Sequence, residues 1–294
     1  MDGIDGPGTI DDLIADAEAR GYTTNVRLIR DWTAAGLLDY PERRPAGKGH
    51  GSLQALYSEN QRHLFRTLLH HRAETRVRGL AQIPVVLWLY YGDGHVPLRQ
   101  ARLALKTWLG DSRTSLRGAR ESAQEVLVSL DNPAATDAAR ARLRSVVTDF
   151  AYSGRVDFAV LERAAREVFE PGHKRVRRAV GHPAAPVVVE SVVESIRARV
   201  LAARKLATDE MSDEQFELAR HTHLVTFADY IVMQPFLAEH APAGNPGLYE
   251  PTTAQETFNR ACGYLLTSLG LVILHPERAA QIGRLPAPQI DFSA

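Results

Sequence analysis

The sequence predicts a mainly α-helical protein with a small β-hairpin in its N-terminal quarter and only helices after about residue 80. Residues 42–51 read ERRPAGKGHG, and three glycines and a proline in ten residues exclude a helix there. The strand-like pieces on either side of this loop predict the hairpin. Apolar residues recur at helical spacing before the hairpin and through nearly all of the remaining chain. We therefore expect an N-terminal domain, 1–78, and an all-helical region, 79–294.

The first helix is predicted from a start signal and a stop signal. Thr9 offers an N-cap hydroxyl, and Asp11 and Asp12 place carboxylates in the first turn, where the helix dipole favours them. Gly21 is expected to end this helix because it is the first residue there that adopts a left-handed conformation without cost. After the hairpin, a third helix is predicted over Ser58–Arg78.

The second helix is predicted over Thr24–Ala35, with its first residue as the N-cap and Gly36 as the left-handed residue that ends it. Trp32 lies on the apolar side of this helix, and we expect it to pack in the core. The opposite side carries Arg27 and Arg30. A short basic helix followed by a basic hairpin is suited to binding the two phosphate backbones on either side of a nucleic-acid groove.

This stretch resembles the MerR-type winged helix-turn-helix. In that family a second helix with the pattern I-R-x-aromatic-x-x-x-G-L-L is followed by a basic wing, a Tyr-Ser pair and a third helix. The chain matches this pattern at Ile29, Arg30, Trp32, Gly36, Leu37, Leu38 and Tyr57-Ser58-Glu59. The resemblance covers about the first quarter of the chain. It implies an N-terminal winged helix-turn-helix with a small β wing, and a second helix that lies in the major groove of double-stranded DNA.

The resemblance also implies which residues contact DNA. They are Asn25, Arg27 and Arg30 on the second helix and Arg43, Arg44, Lys48, His50 and Tyr57 in and after the wing. Family members carry a compact G-Y-R-x-Y run at the end of the wing, whose arginine meets phosphate. Here Gly51–Tyr57 is longer and contains no arginine, so phosphate contact falls to Arg43, Arg44 or Lys48.

The distribution of charge fits a DNA footprint although the formal net charge of the whole chain is zero. Residues 1–19 contain six acidic and no basic residues. Residues 20–78 contain eleven Lys and Arg and five Asp and Glu, which is a net charge of +6. The basic excess therefore lies on the segment that the resemblance assigns to DNA.

Other classes of site find little support in the sequence. No phosphate-binding glycine loop, dinucleotide fingerprint or hydrolase motif is present, and one cysteine, Cys262, cannot form an iron–sulfur or thiolate metal site. We expect no cofactor, no metal and no enzyme activity. The apolar runs Ile83–Tyr91 and Tyr264–Leu274 are too short to span a bilayer. Trp88, Tyr90 and Tyr91 are either lining for an apolar effector or partner, or ordinary core residues.

Two hypotheses about function remain open from the sequence. The first is a cytoplasmic, nucleoid-associated transcriptional regulator that binds an inverted-repeat operator as a homodimer, with the helical region dimerising and sensing an apolar small molecule. The second is an architectural or accessory DNA-binding protein for recombination or plasmid maintenance. The absence of the long charged dimerisation helix of typical family members favours the second.

Overall fold

The computed structural model describes residues 4–46, 52–110, 115–130, 132–173, 189–239 and 253–288. Within them the chain is mainly helical with one two-stranded antiparallel sheet, which confirms the expected fold class at this level. The chain falls into two compact units, Met1–Gly110 and Asp111–Ala294. Unit 1 thus extends beyond residue 78, where the sequence predicted the domain boundary.

Unit 1 contains six helices and the hairpin among its described residues. In chain order the elements are α1 (Ile10–Glu18), α2 (Val26–Ala34), β1 (Glu42–Pro45), β2 (Ser52–Leu56), α3 (Glu59–His71), α4 (Val77–Leu80), α5 (Gln82–Tyr91) and α6 (Leu98–Leu109). The two strands pair antiparallel, with Glu42 opposite Leu56 and Pro45 opposite Ser52, and with an irregularity between Glu42 and Arg44. The sequence predicted the hairpin and the helices that flank it, but the helix predicted to continue to Arg78 ends at His71, and a separate short helix begins at Val77.

The helix starts follow the local signals with one correction. Thr9 caps α1 as expected, and its hydroxyl and the Asp12 carboxylate form a capping box. The N-cap of α2 is Asn25 rather than Thr24, because Oδ1 of Asn25 accepts from the backbone N–H of Leu28 at 2.9 Å. Asparagine is at least as good an N-cap as threonine. Because two possible cap residues are adjacent here, the sequence alone did not decide at which of them α2 begins.

A buried ion pair joins α1 to α3. Arg62 donates to both carboxylate oxygens of Asp16 at 2.8 Å and to the carbonyl oxygen of Gly6 at 2.9 Å. The two side chains are only 10% and 11% exposed. Arg62 therefore lies in the contact between two helices, because its acidic partner comes from 46 residues away along the chain.

Helix α6 packs against the end of α2, and this contact extends unit 1 to Gly110. Nε2 of Gln100 donates to the carbonyl of Leu37 at 3.0 Å, and Nε2 of Gln61 donates to Oε1 of Gln100 at 2.8 Å. The Thr107 hydroxyl donates to the carbonyl of Ala35 at 2.7 Å. These side chains satisfy carbonyls that the end of a helix leaves unpaired. The residues after 78 therefore complete the N-terminal core.

Gly36 lies directly after α2, at a point where the chain approaches α6 closely. Its φ is +75°, and a Cβ at this position would overlap the backbone nitrogen of Ala104 and lie 2.8 Å from the carbonyl carbon of Leu103. Gly21 has a similar φ of +78° but nothing within 4 Å of the Cβ position. A comparison of substitutions at the two glycines therefore separates the free-energy cost of a left-handed backbone from the cost of steric overlap.

We expect Gly36→Ala to destabilise unit 1 clearly more than Gly21→Ala does. Gly21→Ala should cost about 1–3 kcal/mol, the cost of holding a non-glycine residue in a left-handed conformation. Gly36→Ala adds the overlap with backbone atoms, which cannot move aside as a side chain can. The measurement is urea unfolding followed by tryptophan fluorescence, since Trp32, Trp88 and Trp108 all lie in unit 1. Equal losses in the two variants would show that α6 does not pack this closely.

Unit 2 is helical throughout its described residues. Its helices are α7 (Leu116–Leu130), α8 (Asp137–Ser153), α9 (Phe158–Phe169), α10 (Val189–Ala207), α11 (Asp213–Glu239), α12 (Ala254–Leu274) and α13 (Pro276–Ile282), with a short 3₁₀ turn at Pro171–His173. One core cluster joins α7, α8 and α9 to the start of α10. The remainder of α10 packs with α12, which also contacts α11 and α13.

Helix α12 is apolar on nearly every side because other helices surround it. The sequence judged the apolar run Tyr264–Leu274 too short for a bilayer, and the helix that contains this run begins ten residues earlier, at Ala254. By length and composition α12 is the one described helix that could span a membrane, and 61% of its apolar window is buried inside the protein. This burial is what a central helix of a packed bundle requires.

A buried histidine lies in the core between α11 and α12. The ring of His223 stacks on Phe227 at 5.5 Å and on Tyr264 at 5.9 Å between centroids. Burial, and to a smaller extent the positive charge of Arg220, lower the pKa of His223 to about 3. The folded protein therefore holds this imidazole neutral, whereas the unfolded chain protonates it near pH 6.5.

The His223 core should make unit 2 less stable as the pH falls. The pKa of the folded state lies below that of the unfolded state, so the stability present above pH 6.5 is lost between pH 6.5 and about 3. The expected slope is about 1.4 kcal/mol per pH unit. His223→Phe should remove this contribution, as measured by urea unfolding followed by circular dichroism across this pH range. The same pH dependence in both proteins would contradict the assignment.

Candidate nucleic-acid interface

The exposed side of α2 carries the two arginines that the sequence singled out. Residues 27, 30, 31 and 34 are all exposed, and their spacing places them along one stripe of the helix. On the opposite side Ile29, Trp32 and Thr33 are buried. Trp32 packs edge-to-face on Phe65 with ring centroids 5.7 Å apart, which confirms that it is a core residue. Packing of this apolar side against the core turns the basic stripe outward.

The two arginines of the stripe differ in their surroundings. Arg27 is 91% exposed, and its Nε lies 3.8 Å from a carboxylate oxygen of Asp31, which is itself 67% exposed. An exposed pair at this distance contributes little and can open at little cost. Arg30 lies close enough to Tyr57 for its charge to act on the tyrosine hydroxyl.

Asn25 lies at the start of the same helix, but its oxygen already has a structural role. Oδ1 accepts the hydrogen bond from Leu28 that caps α2, and this contact fixes the side chain against the first turn. We expected Asn25 to assist in reading bases. Because the side-chain oxygen forms this cap, the expectation that Asn25 reads a base now applies only to its amide nitrogen. A substitution of Asn25 is expected to lower the stability of the helix before it affects DNA binding.

The hairpin contributes one exposed arginine and one that supports the hairpin itself. Arg43 is exposed. Arg44 is half-buried, and its Nε donates to the carbonyl of Gln54 on the opposite strand at 2.9 Å. Lys48 and His50, which the sequence also assigned to the wing, lie outside the described residues. Of the wing cations that the structure describes, Arg43 is therefore the better placed for a partner.

Tyr57 is a core residue rather than a surface residue. Its side chain is 3% exposed, its hydroxyl lies 3.4 Å from the hydroxyl of Thr33, and burial raises its pKa. Its backbone pairs with Gly8, with hydrogen bonds of 2.7 and 2.9 Å. The expectation that Tyr57 contacts DNA is therefore corrected. This residue anchors the end of the hairpin to the buried side of α2.

An aromatic residue that the sequence did not single out is exposed beside the hairpin. Tyr40 is 60% exposed and lies between α2 and β1. Its position in the sequence could have pointed to it. Tyr40 lies in the short segment between Leu37-Leu38, which enter the core, and the proline that precedes β1. A tyrosine at such a place offers a hydroxyl to phosphate oxygens or a flat ring to a base or sugar.

The three aromatic residues of α5 do not share one surface. Trp88 is fully buried, and its Nε1 donates to Oδ1 of Asp93 at 2.8 Å. Tyr90 is half-buried, whereas Tyr91 is exposed and packs beside the ring of His95. The three side chains therefore differ in their surroundings, from the core to the surface. The core alternative applies to Trp88.

Comparison of the chain with protein-family models, with curated proteins and with solved structures gave no significant match. The likeness of residues 29–59 to a winged helix-turn-helix therefore rests on the residues alone.

Proposed function

We propose that the chain is a sequence-specific DNA-binding transcriptional regulator of the cytoplasm, associated with the nucleoid. The observation that carries this proposal is the outward stripe of α2, where Arg27 and Arg30 are exposed, followed along the chain by a hairpin on which Arg43 is exposed. Unit 1 would be a winged helix-turn-helix, with α1 and α2 as its helix pair and β1 and β2 as its wing.

The chemistry of the stripe suits the major groove. An arginine presents parallel donors that match O6 and N7 of guanine, and this pairing is the commonest base-specific contact in protein–DNA complexes. With α2 in the groove, Arg43 on the hairpin would reach the phosphates of an adjacent strand and fix the register of the helix. Tyr40 would lie between the two contacts and add a hydroxyl at the backbone.

A single recognition helix offers too few base contacts for specificity, so the proposal includes a dimer on an inverted repeat. We propose that a second copy of this chain covers the last two turns of α11. Ile231, Val232 and Met233 are consecutive and all exposed, so this part of the helix is open on several sides, and Phe236 is exposed as well. Residues 230–238 carry no charge, so a copy related by twofold symmetry would meet no like charge there.

Val232→Asp should convert the dimer into a monomer without unfolding unit 2. Val232 is 77% exposed, so an aspartate there stays in water in the monomer but would be buried without a partner in the dimer. The measurement is analytical ultracentrifugation of the full chain over a range of concentrations. Tyr152→Asp, which places the same charge on an exposed aromatic position of α8, is the control and should remain dimeric. A Val232→Asp protein that remains dimeric would remove α11 as the interface.

The proposed function is tested by selecting bound sequences from random duplex DNA at two salt concentrations. Recovery of an inverted repeat with half-sites about one helical turn apart supports a dimeric, sequence-reading regulator. Recovery of a single half-site supports sequence reading but contradicts the dimeric geometry. Absence of binding at both salt concentrations would overturn DNA binding altogether.

A second candidate is an architectural or accessory DNA-binding protein. The feature that favours it is the path of the chain after α3, which continues into the four-residue α4 and the apolar α5 rather than into a long charged helix. Binding of this kind would depend steeply on salt because it would rest on phosphate contacts alone. Strong binding at low salt with no recovered motif would favour this candidate over the regulator.

A further inference from the structure

A small pocket lies in unit 2 where the end of α8, the start of α9 and the C-terminal half of α10 meet. Its volume is about 260 Å³. The residues that line it are Gly154, Arg155, Val156, Phe158, Val200 and Arg204. Pockets for drug-sized molecules begin at about 300 Å³, so this pocket suits a ligand smaller than those. Two of its lining residues are arginines and none is acidic.

The turn between α8 and α9 keeps this space open. Helix α8 ends at Gly154, whose φ of +68° is left-handed, and no atom lies within 4 Å of the position that a Cβ would take there. The backbone N–H of Arg155 donates to Oγ of Ser153 at 3.1 Å. Asp157 caps the first turn of α9 with two hydrogen bonds of 3.0 and 3.1 Å. These local contacts fix the turn, so the pocket is formed before any ligand enters it.

The cationic part of the lining consists of two exposed arginines from different elements. Nη2 of Arg204 donates to the carbonyl of Gly154 at 2.8 Å, which holds this guanidinium group of α10 at the end of α8. Arg155 follows that glycine directly in the chain. The carboxylate closest to it in the sequence, that of Asp157, is already used in the cap of α9. The lining therefore carries a charge of +2, for which an anion is the complement.

The remaining side chains of the lining are apolar and within reach of a ligand. Val156 and Phe158 are half-buried and pack against the core cluster of α7, α8 and α9. Val200 on α10 is half-buried as well. Because all three residues line the pocket, part of the surface that the core leaves uncovered borders the open space. An apolar group in the pocket would remove this surface from water, whereas a hydrated inorganic ion would not.

We propose that this pocket binds a small organic anion, whose carboxylate or phosphate head group pairs with Arg155 and Arg204 while its apolar group covers Val156, Phe158 and Val200. A guanidinium group presents a planar fork of donors that matches either head group. The site lies within unit 2 and does not depend on DNA binding. Only its role as an effector site rests on the proposed function. In a regulator, this pocket would be the sensor, rather than the aromatic residues of α5 that the sequence suggested.

The first test measures the melting temperature of the full chain with phenylacetate, phenyl phosphate, the neutral phenylacetamide, acetate and inorganic phosphate. A ligand that binds only the folded state raises the melting temperature as its concentration rises. We expect phenylacetate or phenyl phosphate to raise it, which identifies the head group, and phenylacetamide to leave it unchanged. An equal rise with acetate or inorganic phosphate would indicate an adventitious ion only. No rise with any anion, or an equal rise with phenylacetamide, would overturn the site.

The second test compares Arg155→Gln with Arg163→Gln, which removes an exposed arginine of α9 that does not line the pocket. In calorimetric titration with the anion that responds, Arg155→Gln should weaken binding at least tenfold and Arg163→Gln should bind as the wild type does. Without ligand both variants should melt as the wild type does, because both side chains are exposed. Unchanged binding by Arg155→Gln, or an equal loss in both variants, would overturn the assignment to this pocket. Anion binding by a chain that selects no DNA would support the site and overturn only its effector role.

Discussion

The double variant Arg27→Ala/Arg30→Ala is expected to lose about 2–6 kcal/mol of affinity for the selected DNA, since each arginine that reads a base contributes about 1–3 kcal/mol. The fold should tolerate the change because both side chains are exposed on α2 and alanine is a good helix former. The loss of the weak Arg27–Asp31 pair should have no measurable effect on stability, given its 3.8 Å separation and exposure.

The measurement is fluorescence anisotropy with the selected duplex and with a scrambled duplex of the same length. The matched control is Arg142→Ala/Arg163→Ala, which removes the same charge from exposed positions of unit 2. A loss confined to the selected duplex indicates base readout, and an equal loss on both duplexes indicates phosphate contact. An affinity equal to that of the wild type would exclude α2 as the DNA-binding surface.

Arg62→Leu is expected to destabilise unit 1 by about 3–5 kcal/mol, the usual cost of removing one partner of a buried ion pair. The substitution leaves the carboxylate of Asp16, which is 11% exposed, without the two hydrogen bonds that Arg62 donates, and it also frees the carbonyl of Gly6. The contact between α1 and α3 would weaken, and with it the support for α2. Urea unfolding followed by tryptophan fluorescence reports on this unit alone.

A double variant separates the destabilisation caused by the unpaired Asp16 carboxylate from the net contribution of the ion pair to stability. Asp16→Leu/Arg62→Leu removes both charges, so it should be more stable than Arg62→Leu alone, because two apolar residues of similar volume often replace a buried pair at little cost. If the double variant were the less stable of the two, the carboxylate of Asp16 would not be buried as the structure indicates. DNA binding by the double variant would show whether the pair matters beyond stability.

The buried pair also changes the electrostatic argument for the interface. The net charge of +6 in residues 20–78 counts Arg62, whose charge is neutralised inside the unit, and Arg78, whose Nε donates to the carbonyl of Trp108. The cations that remain on the proposed DNA-binding surface are fewer, with Arg27, Arg30 and Arg43 the clearest among the described residues. The proposed interface is therefore small in each protomer, which is a further reason to expect a dimer on DNA.

The sequence determined the features of this protein that depend on neighbouring residues. The capping box at Thr9, the left-handed Gly36 and the hairpin all follow from interactions within a few residues, where the sequence holds both partners. The outward direction of Arg27 and Arg30 was predictable for a similar reason. A helix with one apolar stripe must turn that stripe inward, so the opposite stripe faces water.

The tertiary structure decided everything that depends on a partner far along the chain. Arg62 is buried because it pairs with Asp16, and Tyr57 is buried because it contacts Thr33 and Gly8. Unit 1 extends to Gly110 because α6 packs against the end of α2. Burial and charge compensation are properties of the assembled contact, so no stretch of sequence read alone can show them.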